Sequence, residues 1–213
     1  MVRHSFISKL LYSKVVFAIF ILSFVWTISI FLAPATLPPG EVSDLSGFAN
    51  HIDYEDLWGE LPLLQGIIYY IGDFMCHQIS ERSFYVGSNQ MPVCARDTAI
   101  FLFLTVGLFM AMLVRPSSST SKMLVNLLPG KAREFVKSRV GELKFLVLVV
   151  FLCLIPIALD GFLQLLTDYE STNPVRFLTG SLAGWIGGFL LGAMIISTKI
   201  VTSSIRKTAA AKG

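Results

Sequence analysis

Residues 15–33, 98–114, 143–166 and 175–198 are runs of almost unbroken apolar character. A hydrocarbon core about 30 Å thick is crossed by roughly 17–25 such residues in a helix rising 1.5 Å per residue, so each run can span a bilayer. Lipid offers no partner to an open backbone, which leaves helices as the only structure for separate runs of this length. Charge agrees: 15% of the 213 residues are charged, whereas soluble domains average ~25%. The chain is therefore read as all-α, a polytopic membrane helical bundle that forms one integral membrane domain over residues 1–213.

The first run raises a competing reading. Ala33-Pro34-Ala35 resembles a signal-peptide cleavage site, but the run exceeds the usual ~7–15 residues of a signal's apolar region, so it is taken as a retained anchor. A fifth apolar stretch, residues 61–75, has only 15 residues and carries Gly66, Gly72 and Asp73. It falls short of a perpendicular span and is expected to be a re-entrant or interfacial helix.

Lys and Arg set the orientation. Fourteen of the 17 lie in three places: the N-terminus, residues 115–144 and the tail at 199–213. Positive flanks mark the cytoplasmic side. All three can be cytoplasmic only if the four long runs cross and residues 61–75 do not. Both termini, the basic loop 115–144 and the basic tail then lie inside. The loop at 34–61, with six acids and no Lys or Arg, lies outside, and so does the motif at 76–97. The protein is expected in the cell membrane as a multi-pass chain in contact with lipid. Nothing resembles a basic–aromatic array, a P-loop or a zinc-finger spacing, so no nucleic-acid partner is expected.

The three remaining basic residues, Arg82, Arg96 and Arg176, all fall at the expected outer face, and no lysine does. Arginines near acids suit bidentate binding of carboxylate or phosphate. Asp160 lies within the fourth run, with Gln164 one turn later on the same face. An ionisable group inside a span is a functional-site candidate by default, and the alternative is an ion pair with Arg96 or Arg176 that locks helices together. Arg96 near a helix start is not favoured by the dipole and needs an anionic partner, whereas Asp97 is favoured there.

Cys76, His77, Cys94 and Asp97 admit three readings. Cys76 and Cys94 can close a disulfide in an oxidising compartment. The four can instead hold a zinc-like divalent metal through S, N and O donors, though adjacent ligands such as Cys76 and His77 are geometrically awkward. Or the thiols stay free and hydrogen-bonded. Cys153, inside a span, reads as a small buried apolar residue. Gly180, Gly184, Gly188 and Gly192 recur every four residues, a small-residue face for close packing against the fourth run or against another copy of the chain.

Taken together, Cys76-His77-Gln78, Arg82-Ser83, Pro92-Val93-Cys94-Ala95-Arg96, Asp160-Gly161 with Gln164, Ser171-Thr172-Asn173, Arg176 and Thr179-Gly180 resemble a family of bacterial and archaeal membrane proteins of unknown function. The resemblance covers roughly residues 62–192. In that family Cys-Thr-Gly usually follows Pro-x-Cys-Ala-Arg. Here it is Asp97-Thr98-Ala99, which weakens a thiolate-rich metal site and leaves Asp97 as a hard ligand. The resemblance implies that these residues act as one unit and brings no activity with it.

These features point first to a membrane-embedded metal-dependent hydrolase or transferase acting on an anionic, lipid-linked substrate. In it His77 and Asp160 are the candidate catalytic groups, and Arg82, Arg96, Gln164 and Arg176 the substrate-binding ones. The alternatives are a transporter or channel component, and a non-catalytic assembly subunit docking through the glycine face.

Overall fold

The computed structural model describes residues 12–211; Arg3, Lys9 and Lys212, used above for orientation, lie outside them. Among the described residues, four helices have the length and apolarity of a membrane span. Helix α1 covers Lys14–Ala35. Its N-terminus is capped by Ser13, whose side chain accepts from the Val16 N–H at 3.5 Å. Two short helices follow, α2 (Glu55–Glu60) and α3 (Leu63–Met75). Next comes a hairpin of β1 (Ser83–Val86) and β2 (Asn89–Cys94). The second long helix, α4, is Ala95–Leu113. Helices α5 (Thr120–Val125) and α6 (Gly130–Phe135) lead to the long helices α7 (Glu142–Leu166) and α8 (Asn173–Ala210).

The hairpin is an addition to the all-helical expectation, and its cause is local. Val86 pairs with Asn89 across the two-residue turn Gly87-Ser88, both with positive φ (59° and 67°). That is the turn geometry whose twist suits antiparallel strands.

The tightest packing in the bundle joins α4 to α8. A Cβ added at Gly180, Gly184 or Gly188 would strike the carbonyls of Arg96, Ile100 and Leu104 in turn. From the other side, one at Gly107 would strike the backbone of Trp185 and Phe189. The contacts advance by four on both helices together, so α4 and α8 run parallel with their N-termini at one end. The glycine face is thus consumed inside the chain, by α4 rather than by α7 or another copy. The reason is steric: only a face without side chains lets two helices approach backbone to backbone.

Helix α1 runs the opposite way. Its start lies beside Gly192 through Val16, and its end touches the hairpin, where Asn89 donates to the Pro34 carbonyl at 3.0 Å. Midway, Ser23, Thr27 and Thr105 bond to one another and to the Phe101 carbonyl, stapling α1 to α4. Because α1 ends and α4 begins at the same end, the connection between them does not cross. Helix α3, 13 residues long, reaches about 20 Å and stays at that end. One of its faces packs on β2, where Gly72 abuts the Pro92 backbone; the other exposes Leu63, Leu64, Ile67 and Phe74.

The loop over this end is held by buried polar side chains. Asn89 and Gln90 accept from the Val42 and Leu45 N–H groups, each at 3.0 Å. The Asp73 carboxylate accepts from the Asp53 and Tyr54 N–H groups and from the Trp58 indole. Asp73 thereby organises the start of α2, which accounts for an acid inside an apolar stretch.

Candidate functional site

The parallel start of α4 and α8 puts Arg96 and Arg176 side by side, and α7, running back, brings its last turns to meet them. Arg96 forms an ion pair with Asp160, which is 4% exposed. Asp160 also accepts from Gln164 Nε2 (3.1 Å) and from the Tyr169 hydroxyl (3.2 Å). Arg176, 3% exposed, donates to Gln164 Oε1 at 2.7 Å and to the Ser171 carbonyl at 3.0 Å, both neutral. Arg82, just before β1, pairs with Glu170 at 2.8 Å. This pairing holds the Glu170 carboxyl below its ordinary value. Three guanidiniums thus converge, two matched to a carboxylate and the third, among the described residues, bonded to neutral acceptors alone.

Beside them lie the two thiols. Both are free. Cys76 closes α3, and its sulfur accepts from the Cys94 N–H at 3.2 Å. Cys94 caps α4, its sulfur 3.3 Å from Asp97 Oδ2. Hydrogen bonding from the Cys76 thiol lowers the Cys94 thiol below its ordinary value; the same contact, with burial, pushes Cys76 well above it. One donor atom each from Cys76, Cys94 and Asp97 lie within 4.8 Å of one another.

His77 does not join this group. The backbone at Cys76 is extended (φ −138°, ψ 149°), so successive side chains point to opposite sides. Cys76 and Gln78 turn inward and His77 faces out. The four-ligand set read from the sequence therefore contracts to three.

A cleft of about 290 Å³ opens among these elements, lined by His77, Cys76, Cys94 and Asp97 together with Arg82, Arg96, Gln164 and Arg176. Asp160 is not in its wall. Its carboxylate is engaged by three side chains beneath, so it positions Arg96 and Gln164 rather than facing the opening. Ser171 Oγ and Arg96 Nε are buried here without a partner among the described residues. The N-termini of α4 and α8 both point to this end and add partial positive charge that favours an anion.

Sequence reading passed over Tyr169 and Glu170, which complete the acid–arginine network, and Asn89 and Gln90, which hold the loop above it; Gln78 enters it only within the family motif. The Gly-Ser step between Phe84-Tyr85-Val86 and Asn89 was the available signal for the hairpin that carries Asn89 and Gln90. Tyr169 and Glu170 carry no comparable signal, because their partners are about 10 and 90 residues away along the chain.

The fold and this cleft define a helical membrane protein with a polar arginine and cysteine site at one end of its bundle. Residues 76–191 match the profile of a family described as a predicted membrane protein, DUF2085. That span begins at Cys76 and takes in every side chain of the cleft wall except Ala49 and Met75. The chain belongs to this family. It is 28% identical over 173 residues to an uncharacterised protein of Methanocaldococcus jannaschii, covering 81% of this chain and 87% of that one. It is 33% identical over 111 residues to an uncharacterised protein of Methanothermobacter thermautotrophicus, covering 52% and 78%. No solved structure matches it.

Proposed function

We propose that the chain is a membrane-embedded, metal-dependent hydrolase or transferase whose cleft takes the anionic group of a lipid-linked substrate. Arg176 carries this reading. A buried guanidinium costs several kcal/mol of desolvation that neutral acceptors do not offset, so an arginine kept in this state in a cleft wall is matched to an anion that arrives there. Arg82 and Arg96 supply further donors in the fork geometry that suits phosphate. Cys76, Cys94 and Asp97 are the groups that would hold a zinc-like divalent ion, which when bound would polarise a phosphoryl or carbonyl oxygen. His77, exposed in the same wall, is the general base or acid available to an incoming water or a leaving group. Asp160 is assigned to positioning.

On this reading the cleft end faces away from the cytoplasm of the cell membrane, with the basic segments inside. A transporter path finds less support, because Ser23, Thr27 and Thr105, the polar side chains deeper between α1 and α4, are used on one another. A docking subunit finds less as well, since α4 already covers the glycine face.

The test is metal content and turnover of the purified, reduced, full-length protein in detergent. Stoichiometric metal that Cys94→Ser removes, together with release of phosphate from dioctanoyl phosphatidic acid, supports the proposal. Reduced protein that carries no metal and takes none up overturns the metal-dependent part.

A further inference from the structure

A second arginine cleft lies at the opposite end of the bundle. Helix α4 stops at Leu113, and the chain continues through Val114 and Arg115 to α5, which packs on α7 and α8, and then to α6. Between the end of α4 and the α5–α6 turn is a cleft of about 280 Å³ lined by Leu113, Val114, Arg115, Asn126, Leu127 and Arg133. Arg133 reaches from α6 and spends one terminal nitrogen on the carbonyls of Asn126 (3.1 Å) and Leu128 (2.9 Å). These bonds fix the plane of the guanidinium. Its Nε is buried with no partner among the described residues. Arg115 is exposed and makes no hydrogen bond or ion pair among the described residues. No carboxylate pairs with either arginine there, although Glu134 is next to Arg133 in the chain.

The site lies where an apolar span ends, the depth at which lipid phosphates sit in a bilayer. Its lining matches that setting: Leu113, Val114 and Leu127 supply apolar surface, and Arg115, Arg133 and Asn126 supply the polar groups. An oriented, incompletely bonded guanidinium beside a second free one is a fork for a tetrahedral oxyanion. Basic clefts between the ends of membrane helices suit phospholipid headgroups.

We propose that the cleft between the end of α4 and the α5–α6 turn binds a phosphate group through Arg115 and Arg133, as carried by an anionic phospholipid or by inorganic phosphate. This does not rest on the function assigned to the other cleft. The simpler account is that the arginines only snorkel to a charged surface without a defined site. The two differ in whether charge at this position matters more than charge nearby.

The experiment uses the full-length protein, delipidated in neutral detergent. Native mass spectrometry and titration measure its binding of phosphatidylglycerol, of phosphatidylcholine and of inorganic phosphate. Arg115→Gln is the main variant, because Arg115 holds nothing in the fold. Arg133→Gln is the second, with its unfolding temperature measured alongside. Lys137→Gln is the control, an exposed charge outside the cleft. Phosphatidylglycerol preferred over phosphatidylcholine and weakened about tenfold by Arg115→Gln, as loss of a charge-assisted hydrogen bond implies, with Lys137→Gln close to wild type, supports a lipid headgroup. Inorganic phosphate bound with the same variant pattern supports the free ion. Equal weakening by Lys137→Gln and Arg115→Gln, or no binding of either phosphate species, overturns the proposal.

Discussion

At the cleft end, the guanidiniums of Arg82, Arg96 and Arg176 come from the approach to the hairpin and from the starts of α4 and α8, and are fixed by Glu170, Asp160 and Gln164, on the end of α7 and the loop after it. At the basic end, Arg115 and Arg133 lie 18 positions apart in one connecting segment, and only backbone carbonyls restrain Arg133. The first arrangement exists only once α4, α7 and α8 have packed. The second is built from a helix end and the turn beside it. Arginine at the cleft end is therefore part of what holds α7 to the bundle, whereas at the basic end Arg133 ties only the turn beside it and Arg115 holds nothing among the described residues. Exposure along α7 fits this: of its 25 residues only Cys153 and Asp160 are buried, so the polar contacts near its end are a large share of its attachment.

The largest effect that would sharpen this contrast is loss of the Asp160 carboxylate. Asp160→Ala leaves Arg96, whose side chain is 20% exposed, without its carboxylate; breaking a fully buried pair from one side costs about 3–5 kcal/mol, an upper bound for this half-buried one. It is expected to lower the unfolding temperature in detergent and expose α7 to proteolysis, whereas Arg115→Gln is expected to change neither. Equal stability of the two variants would break the comparison. Next comes the seam that brings the arginines together. Gly184→Leu drives a side chain into the Ile100 backbone, and overpacking of this kind costs about 1–3 kcal/mol or more. It should also disturb the Cys94 end of α4, read as altered alkylation of that thiol, while Gly187→Leu, where a Cβ meets nothing within 4 Å, should be tolerated.

The smallest effect concerns the exposed rim. Arg82 holds the Glu170 carboxyl below its ordinary value. The contribution of that pair is therefore complete above the ordinary carboxylate value and fades as pH falls through the lowered one. Glu170→Gln should remove this acid-side slope from the unfolding temperature. A slope unchanged in the variant would show that the pair contributes nothing.

The spans were legible because their determinant is local: a run of apolar residues is its own evidence for a membrane helix. The partial helix α3 was legible for a related reason, since its length and the distribution of Lys and Arg both require that it not cross. The glycine repeat announced close packing but not its partner. The partner depends on α4 and α8 running parallel, which no stretch of either helix states by itself. Asp160 shows the limit for the site. As an acid within a span it was marked for notice, but whether it faces a cleft or sits beneath one depends on Arg96, Gln164 and Tyr169 together. The side to which His77 turns was likewise hidden, because it rests on the extended backbone at Cys76 where a continuing helix would have placed it differently.

The central claim is that Arg176 is held in the wall of the cleft for an incoming anion. The direct measurement is titration of dioctanoyl phosphatidic acid into wild-type protein and into Arg176→Gln, both in neutral detergent and both checked for an intact helical fold. Saturable binding by the wild type that falls at least about tenfold in the variant is the result expected. Equal affinity in the two proteins would contradict the account and leave Arg176 as a helix-locking residue.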